Sequence, residues 1–198
     1  LIPAFLSAYS GKDANDFSLS PFPAIPLPNW RISYTGLTRI KAIKEFASNV
    51  TISHQYSSTY SVAGFQTTID TASNNLSGDY TPQYQIRNIS LVERWGPFLG
   101  IDVTTVNNVS LKIEYKRDRV LSFATSNGQL NEQLGSEWVF GVGYRTSKLR
   151  IPFFKDGRTL VLKNDINFRL DFNFRDQATY LRTIDQPGSI TNGGNSMW

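Results

Sequence analysis

The stretch Asp165–Arg175, DINFRLDFNFR, decides the fold class of this chain. Polar and apolar residues alternate along it without a break, and its apolar members are Ile166, Phe168, Leu170, Phe172 and Phe174. Successive side chains of a strand point to opposite faces, whereas a helix would scatter these residues around its axis. The stretch therefore predicts a β-strand with one apolar and one polar face.

Similar alternation recurs along most of the 198 residues. It predicts strands near 30–35, 49–68, 84–93, 98–106, 111–123, 137–144, 165–175 and 179–183. Turn-forming pairs occur at 107–108, 127–128, 156–157 and 176–177, each between two of these predicted strands. Residues 38–47 instead repeat apolar side chains every three positions, which predicts a short helix or an ordered turn. The sequence thus predicts an all-β, antiparallel up-and-down meander of about eight strands.

The chain divides into three regions. Residues 1–27 are rich in proline, which favours loop and turn conformations, so we expect a loop segment there. Residues 28–185 carry the strand patterns, interrupted by a polar loop over 70–83. Residues 186–198 have no pattern and predict an irregular tail, at which a barrel would be truncated.

Composition excludes several functional classes. The net charge of +4 comes from 20 basic and 16 acidic residues that form no basic stripe, so the sequence does not indicate nucleic-acid binding. No apolar run reaches the roughly 20 residues of a membrane-spanning helix. The chain has no cysteine, and His54 is its single histidine. We therefore expect no metal, no cofactor and no enzymatic activity.

A sheet with one apolar face must cover that face. One helix of about ten residues is too short to cover eight strands, and several strands reach the roughly 9–11 residues needed to cross a bilayer. We therefore predict part of a transmembrane barrel wall. Lipid-facing side chains are predicted at Leu99, Ile101, Val103, Leu111, Ile113, Ile166, Phe168, Leu170, Phe172 and Phe174. Lumen-lining charges are predicted at Asp102, Lys112, Glu114, Arg169 and Asp171, and interface aromatics at Trp30, Tyr34, Tyr60, Trp138 and Tyr144.

Four segments, taken in order, resemble a known family. They are PLPNWRISYTGL (26–37), VTISHQYSSTYSVAGF (50–65), GPFLGIDVTTVNNVSLKIEY (96–115) and NDINFRLDFNFRDQATYLRTID (164–185). The chain is similar to the C-terminal part of the SprA/Sov family, the outer-membrane translocon barrel of type IX secretion and gliding motility. The resemblance implies a very large barrel that exports folded cargo. It also implies three partners: a FadL-like barrel, a periplasmic plug protein and cargo with a C-terminal sorting domain.

Two other classes share the pattern. A TonB-dependent receptor would be the same kind of barrel with a plug domain and a TonB box upstream. A soluble carbohydrate-binding β-sandwich at the cell surface would close within these 198 residues and dissolve without detergent.

Overall fold

The computed structural model describes residues 13, 28–67, 84–147, 150–151, 160–161, 165–183 and 189–197, with the backbone alone for 150–151, 160–161 and 189–192. The predicted N-terminal loop segment, residues 1–27, therefore lies outside the described residues, apart from position 13. The predicted polar loop over 70–83 and the turn at 156–157 also lie outside them.

Seven antiparallel strands form one sheet. In spatial order they are β1 (Trp30–Tyr34), β2 (Ala47–Ala63), β5 (Asn88–Thr105), β6 (Val109–Ala124), β7 (Gln129–Thr146), β10 (Ile166–Thr183) and β11 (Ser189–Met197). Two short hairpins pair β3 (Gln66–Thr67) with β4 (Tyr84–Gln85), and β8 (Arg150–Ile151) with β9 (Leu160–Val161). The spatial order of the large sheet follows the chain, which confirms the predicted antiparallel meander. Among the described strands, β1 and β11 each have a single neighbour, so the sheet is open at both edges.

The connections at each end of the strands follow the turn signals. The β5–β6 turn contains Asn108 at a φ of 61°, and the β6–β7 turn ends in Gly128 at the same φ. Asparagine and glycine tolerate this left-handed region, which explains why both turns form where the sequence predicts them. Between β1 and β2 lie a 3-10 helix (Gly36–Arg39) and α1 (Lys41–Phe46), in agreement with the predicted helical segment. Within the described part of the chain, no helix has the length and apolarity needed to cross a membrane.

The prediction of two separate strands over 84–93 and 98–106 is wrong. β5 is one strand of 18 residues, and Trp95 pairs with Arg117 while Leu99 pairs with Tyr115. Three residues of β5 therefore oppose one residue of β6, which is a bulge. The bulge accommodates Pro97, which has no N–H to donate, and both halves of β5 keep the same neighbours on either side.

The predicted turn at 176–177 is also wrong. β10 continues to Thr183, with Asp176 opposite Ser136 and Gln177 opposite Gly135 on β7. Because β7 offers a continuous ladder of partners, pairing across the sheet overrides the local turn-forming tendency. For the same reason the segment predicted at 179–183 belongs to β10 and is not a strand of its own.

The boundaries of β2 and of the tail also differ from the predictions. β2 ends at Ala63, because Gly64 adopts a φ of 65° and ends the extended run that was expected to reach 68. The tail forms β11, which pairs with β10 from Met197 opposite Arg175 to Ser189 opposite Arg182. Backbone hydrogen bonds to an open edge require no side-chain alternation, so the sequence pattern did not reveal this strand.

Candidate functional site

The register of the sheet brings the predicted wall residues onto one face. Phe172 lies opposite Phe140, Phe140 opposite Ile113, and Ile113 opposite Ile101. All ten predicted lipid-facing side chains share this face, and all five predicted lumen-lining charges share the other. The face assignment is thus internally consistent across β5, β6, β7 and β10.

Large apolar side chains on this face are left uncovered by the described part of the chain. We call the following twelve the apolar belt: Trp30, Ile32, Tyr34, Leu99, Ile113, Trp138, Val142, Tyr144, Phe168, Leu170, Phe172 and Phe174. Each is 42–58% exposed. At roughly 100 Å² apiece they expose on the order of 1,000 Å², about twice the largest patch of a typical soluble monomer. Removing that area from water would contribute on the order of 25 kcal/mol, so the belt needs an apolar partner.

An aromatic row borders the belt. Trp30 stacks at 4.3 Å from Tyr56, measured between ring centroids, and Tyr115 lies 4.7 Å from Trp138. The other neighbouring rings in the row have centroids 5.1–6.3 Å apart. The whole row consists of Trp30, His54, Tyr56, Trp95, Phe98, Tyr115, Trp138, Phe140 and Phe174. A row of aromatic rings that crosses neighbouring strands at one level is typical of the interface girdle of a membrane barrel.

The single histidine belongs to this row. The Nδ1 atom of His54 lies 2.6 Å from the carbonyl oxygen of Phe98, and the two rings meet edge to face. Among the described residues no group of three metal-ligating side chains occurs. The position of His54 is therefore explained by ring packing and one hydrogen bond.

The dimensions of the belt match a bilayer. The stretch from Ile166 to Phe174 spans about 27 Å along the strand at 3.3 Å per residue. A strand tilt of about 40° reduces this to a height of about 20 Å, against an apolar band of about 25 Å in outer-membrane barrels. Tyr144 lies opposite Phe168, toward the end of the belt where β10 begins. Trp138 lies opposite Phe174, in the aromatic row at the other end of the belt.

The opposite face carries paired charges. The Nζ atom of Lys112 lies 2.9 Å from Glu114, and Lys116 lies 3.7 Å from Glu114 and 3.6 Å from Glu137. Within β10, Arg169 donates to Asp171 at 2.7 Å, and on β5 Asp102 lies opposite Lys112 of β6. These partly exposed charges suit a surface in contact with water.

A groove of about 550 Å³ opens among these charges, and Gly141 and Gly143 are in its lining. A Cβ atom added at Gly141 would approach the Asp171 carboxylate to 2.8 Å. Glycine at that position therefore lets the polar side chains of the neighbouring strands lie across β7. The groove is shallow and polar, as a water-lined surface would be.

Beyond the aromatic row, the face that carries the belt becomes charged. We call Tyr56, Glu93, Arg119, Glu132 and Arg182 the charged cluster. The guanidinium of Arg119 lies 2.7 Å from Glu132 and 3.9 Å from Glu93, and Arg182 lies 3.2 Å from Glu132. The Tyr56 hydroxyl donates to Glu93 at 2.7 Å, and both carboxylates are buried. A lipid-contacting surface would not place five such groups together, so the cluster marks the end of the apolar surface along these strands.

The far end of the same face is covered by protein. Ile89, Leu91, Leu121 and Phe123 are buried there, together with Ile86 from the connection that precedes β5. Tyr60, predicted to be an interface aromatic, packs against this group outside the aromatic row. Burial raises the pKa of the Tyr60 hydroxyl. Tyr60 is therefore explained by protein packing.

Sequence reasoning missed the charged cluster and seven members of the aromatic row, which were not predicted as interface aromatics. These seven are His54, Tyr56, Trp95, Phe98, Tyr115, Phe140 and Phe174, and Phe174 was instead assigned to the lipid-facing wall. Their positions within each strand are visible in the alternation, but their level in the sheet depends on the register between strands. The chain matches no protein-family model, and no curated protein shows significant similarity to it.

Proposed function

We propose that the sheet is part of the wall of a large outer-membrane barrel through which proteins are exported. The single observation that carries the membrane assignment is the apolar belt, whose members come from β1, β5, β6, β7 and β10 and stay about half exposed. Hydrocarbon is the partner that fits an apolar band bounded by aromatic rings on one side.

The exposure of the belt argues against a soluble sandwich. A sandwich would bury Phe168, Leu170 and Phe172 beneath a second layer of its own strands. These three side chains are 51–57% exposed. Strands of 16–18 residues, as in β5, β6, β7 and β10, are also much longer than the usual 5–6.

The polar face supports an aqueous passage. Its charges are nearly balanced in sign, since Lys112, Lys116 and Arg169 alternate with carboxylates of neighbouring positions. A lining of mixed sign has no strong field and therefore attracts neither acidic nor basic proteins tightly. Such a surface lets polypeptide cargo pass without being held.

The translocon assignment rests on the four sequence segments that resemble the SprA/Sov family. In this proposal the wall performs no chemistry. Its partners are outer-membrane lipid, a FadL-like barrel, a periplasmic plug protein and folded cargo with a C-terminal sorting domain.

Neighbouring residues on opposite faces provide a test in secreting cells. A photo-crosslinking amino acid at Asn173 should form adducts with identified exported proteins that carry the sorting domain. The same group at Phe172 should form lipid adducts and no cargo adducts. If the crosslinker at position 172 captured cargo and the one at position 173 did not, the assignment of the two faces would be reversed. Absence of cargo at both positions, in cells that secrete normally, would refute the export function.

A further inference from the structure

We propose that the connection between β1 and β2 binds the phosphate groups of anionic phospholipids at the periplasmic surface of the membrane. We call residues 36–46 the basic connection. They comprise the 3-10 helix and α1, and they lie at the end of the sheet opposite the charged cluster. The inference rests on the proposed membrane location of the sheet and adds a specific lipid contact to it.

Exposed apolar side chains make the basic connection continuous with the belt. Ile40 and Phe46 are 52% and 60% exposed. The carbonyl of Phe46 accepts a hydrogen bond of 3.1 Å from the backbone N–H of Val106, which is also exposed. Tyr34 of the belt ends the strand that leads into the connection. Apolar surface therefore continues from the belt onto the connection, where water would otherwise meet it.

The same segment carries an excess of positive charge. Arg39, Lys41 and Lys44 are exposed, and Glu45 is the one acidic residue among residues 36–46. No ion pair joins these three cations to other residues in the described part of the chain. Exposed apolar side chains beside exposed cations are the combination that inserts at the surface of an anionic membrane.

The helical geometry separates the two kinds of side chain. Ile40, Ile43 and Phe46 recur at three-residue spacing, and Lys41 and Lys44 repeat at the same spacing one position later. Backbone hydrogen bonds from Ile43 and Lys44 to the carbonyl of Ile40 hold this turn. The cations are therefore presented from an ordered segment at the edge of the belt.

Asymmetry of the strands places this segment on the periplasmic side. At this end the β5–β6 turn adjoins the belt directly, through Val106. At the other end β6 continues from Tyr115 to Ala124, about 30 Å beyond the aromatic row. Outer-membrane barrels carry their longer extramembrane segments on the extracellular side. We therefore assign the long strand extensions to that side and the basic connection to the periplasmic side. The inner leaflet then supplies phospholipid and not lipid A.

Lipid contact is measurable because the chain has no cysteine of its own. In a Phe46→Cys variant, a fluorophore is attached to the new cysteine, and the protein is placed in bilayers of phosphatidylcholine. Trace amounts of spin-labelled phosphatidylglycerol or spin-labelled phosphatidylcholine are then added, and quenching of the fluorophore is measured. We expect phosphatidylglycerol to reach half-maximal quenching at a roughly threefold lower mole fraction at low salt. High salt should reduce this preference, because it screens exposed charges.

A charge-neutral variant isolates the role of the cations. Combined Arg39→Gln, Lys41→Gln and Lys44→Gln changes in the Phe46→Cys background should abolish the preference for phosphatidylglycerol. Quenching by spin-labelled phosphatidylcholine should persist, because the apolar contact remains. An unchanged preference in this variant would overturn the proposal.

A label at Leu170→Cys separates this proposal from the membrane assignment itself. Equal quenching of that label by both lipids, with no preference at Phe46, would refute the phosphate site alone. Absence of quenching at Leu170 would refute the membrane assignment. In intact cells, a membrane-impermeant thiol reagent should label Phe46→Cys only after the outer membrane is permeabilised. Labelling of untreated cells would overturn the choice of inner-leaflet phospholipid.

Discussion

Arginine at position 170 tests the lipid-facing face most directly. Leu170 lies at the centre of the Ile166–Phe174 stretch, opposite Val142, and its side chain is 57% exposed. Halfway along a stretch about 27 Å long, it is about 13 Å from either end. An arginine there must either lose its hydration or bend toward the membrane surface, and both are unfavourable.

The expected loss can be stated as a free energy. Arginine on the lipid face of a barrel at the bilayer midplane costs about 2–4 kcal/mol. At about 1.4 kcal/mol per factor of ten, the Leu170→Arg variant should have an unfolding equilibrium constant roughly 30- to 1,000-fold larger. A Leu170→Ala variant measures the contribution of lost side-chain contacts, so the difference between the two variants isolates the charge.

Asn173→Arg is the matched control on the polar face. Asn173 belongs to the same strand and lies opposite Val139, so no cation opposes the new charge directly. Asn167 is a less suitable control, because it lies opposite Arg145 and two cations would then be paired across the strands. The native Arg169 shows that the polar face accepts a guanidinium next to position 170, where it pairs with Asp171.

The assay is denaturant unfolding of the protein in lipid vesicles, followed by tryptophan fluorescence. We expect Leu170→Arg to lower the free energy of unfolding by about 2–4 kcal/mol and Asn173→Arg to change it by less than about 1 kcal/mol. If both variants unfold at the same denaturant concentration, hydrocarbon does not contact the belt. A larger loss at Asn173 than at Leu170 would reverse the assignment of the two faces.

Two further predictions concern the remainder of the sheet. Arg119→Met should lower the free energy of unfolding by about 3 kcal/mol, because buried Glu93 loses its cation while Glu132 keeps Arg182, and adding Glu93→Gln should recover part of the loss. Gly194→Ala should destabilise β11 locally by about 1–3 kcal/mol, because a Cβ atom there would lie 2.8 Å from the carbonyl oxygen of Gln177. Hydrogen exchange should therefore accelerate in β11 and not in β6, whereas Asn195→Ala should leave both rates unchanged.

The faces of individual strands were predictable, because the period of a strand is two and one face is apolar. Ile166 to Phe174 and Leu111 to Ile113 were assigned correctly to one face without knowledge of any partner strand. The register was not predictable, because each strand fits several alignments with its neighbour. Consequently the aromatic row, whose members come from six strands, appears only when the strands are aligned.

Local signals failed where pairing across strands dominates. Pro97 and the pair at 176–177 predicted breaks, but continuous neighbours on each side held β5 and β10 together through them. β11 was missed for a related reason. Its pairing to β10 depends on backbone groups, and the sequence GGN at 193–195 gives no alternation to detect it. These errors are typical of a sheet in which a strand gains most of its stability from its neighbours.

Alternation alone does not identify a lipid-facing residue in this sheet. Ile89 and Phe123 share a face with Leu170, yet both are buried by protein, since Ile86 packs against them. Glu93 and Arg119 lie opposite each other between the belt and the buried group, whereas Glu132 lies opposite Leu121 of the buried group. Charges of this kind are tolerated outside the hydrocarbon and are costly within it. In the proposed wall, the Glu93–Arg119 pair therefore marks the level at which this face changes its partner from lipid to protein, and each long strand contributes to both environments.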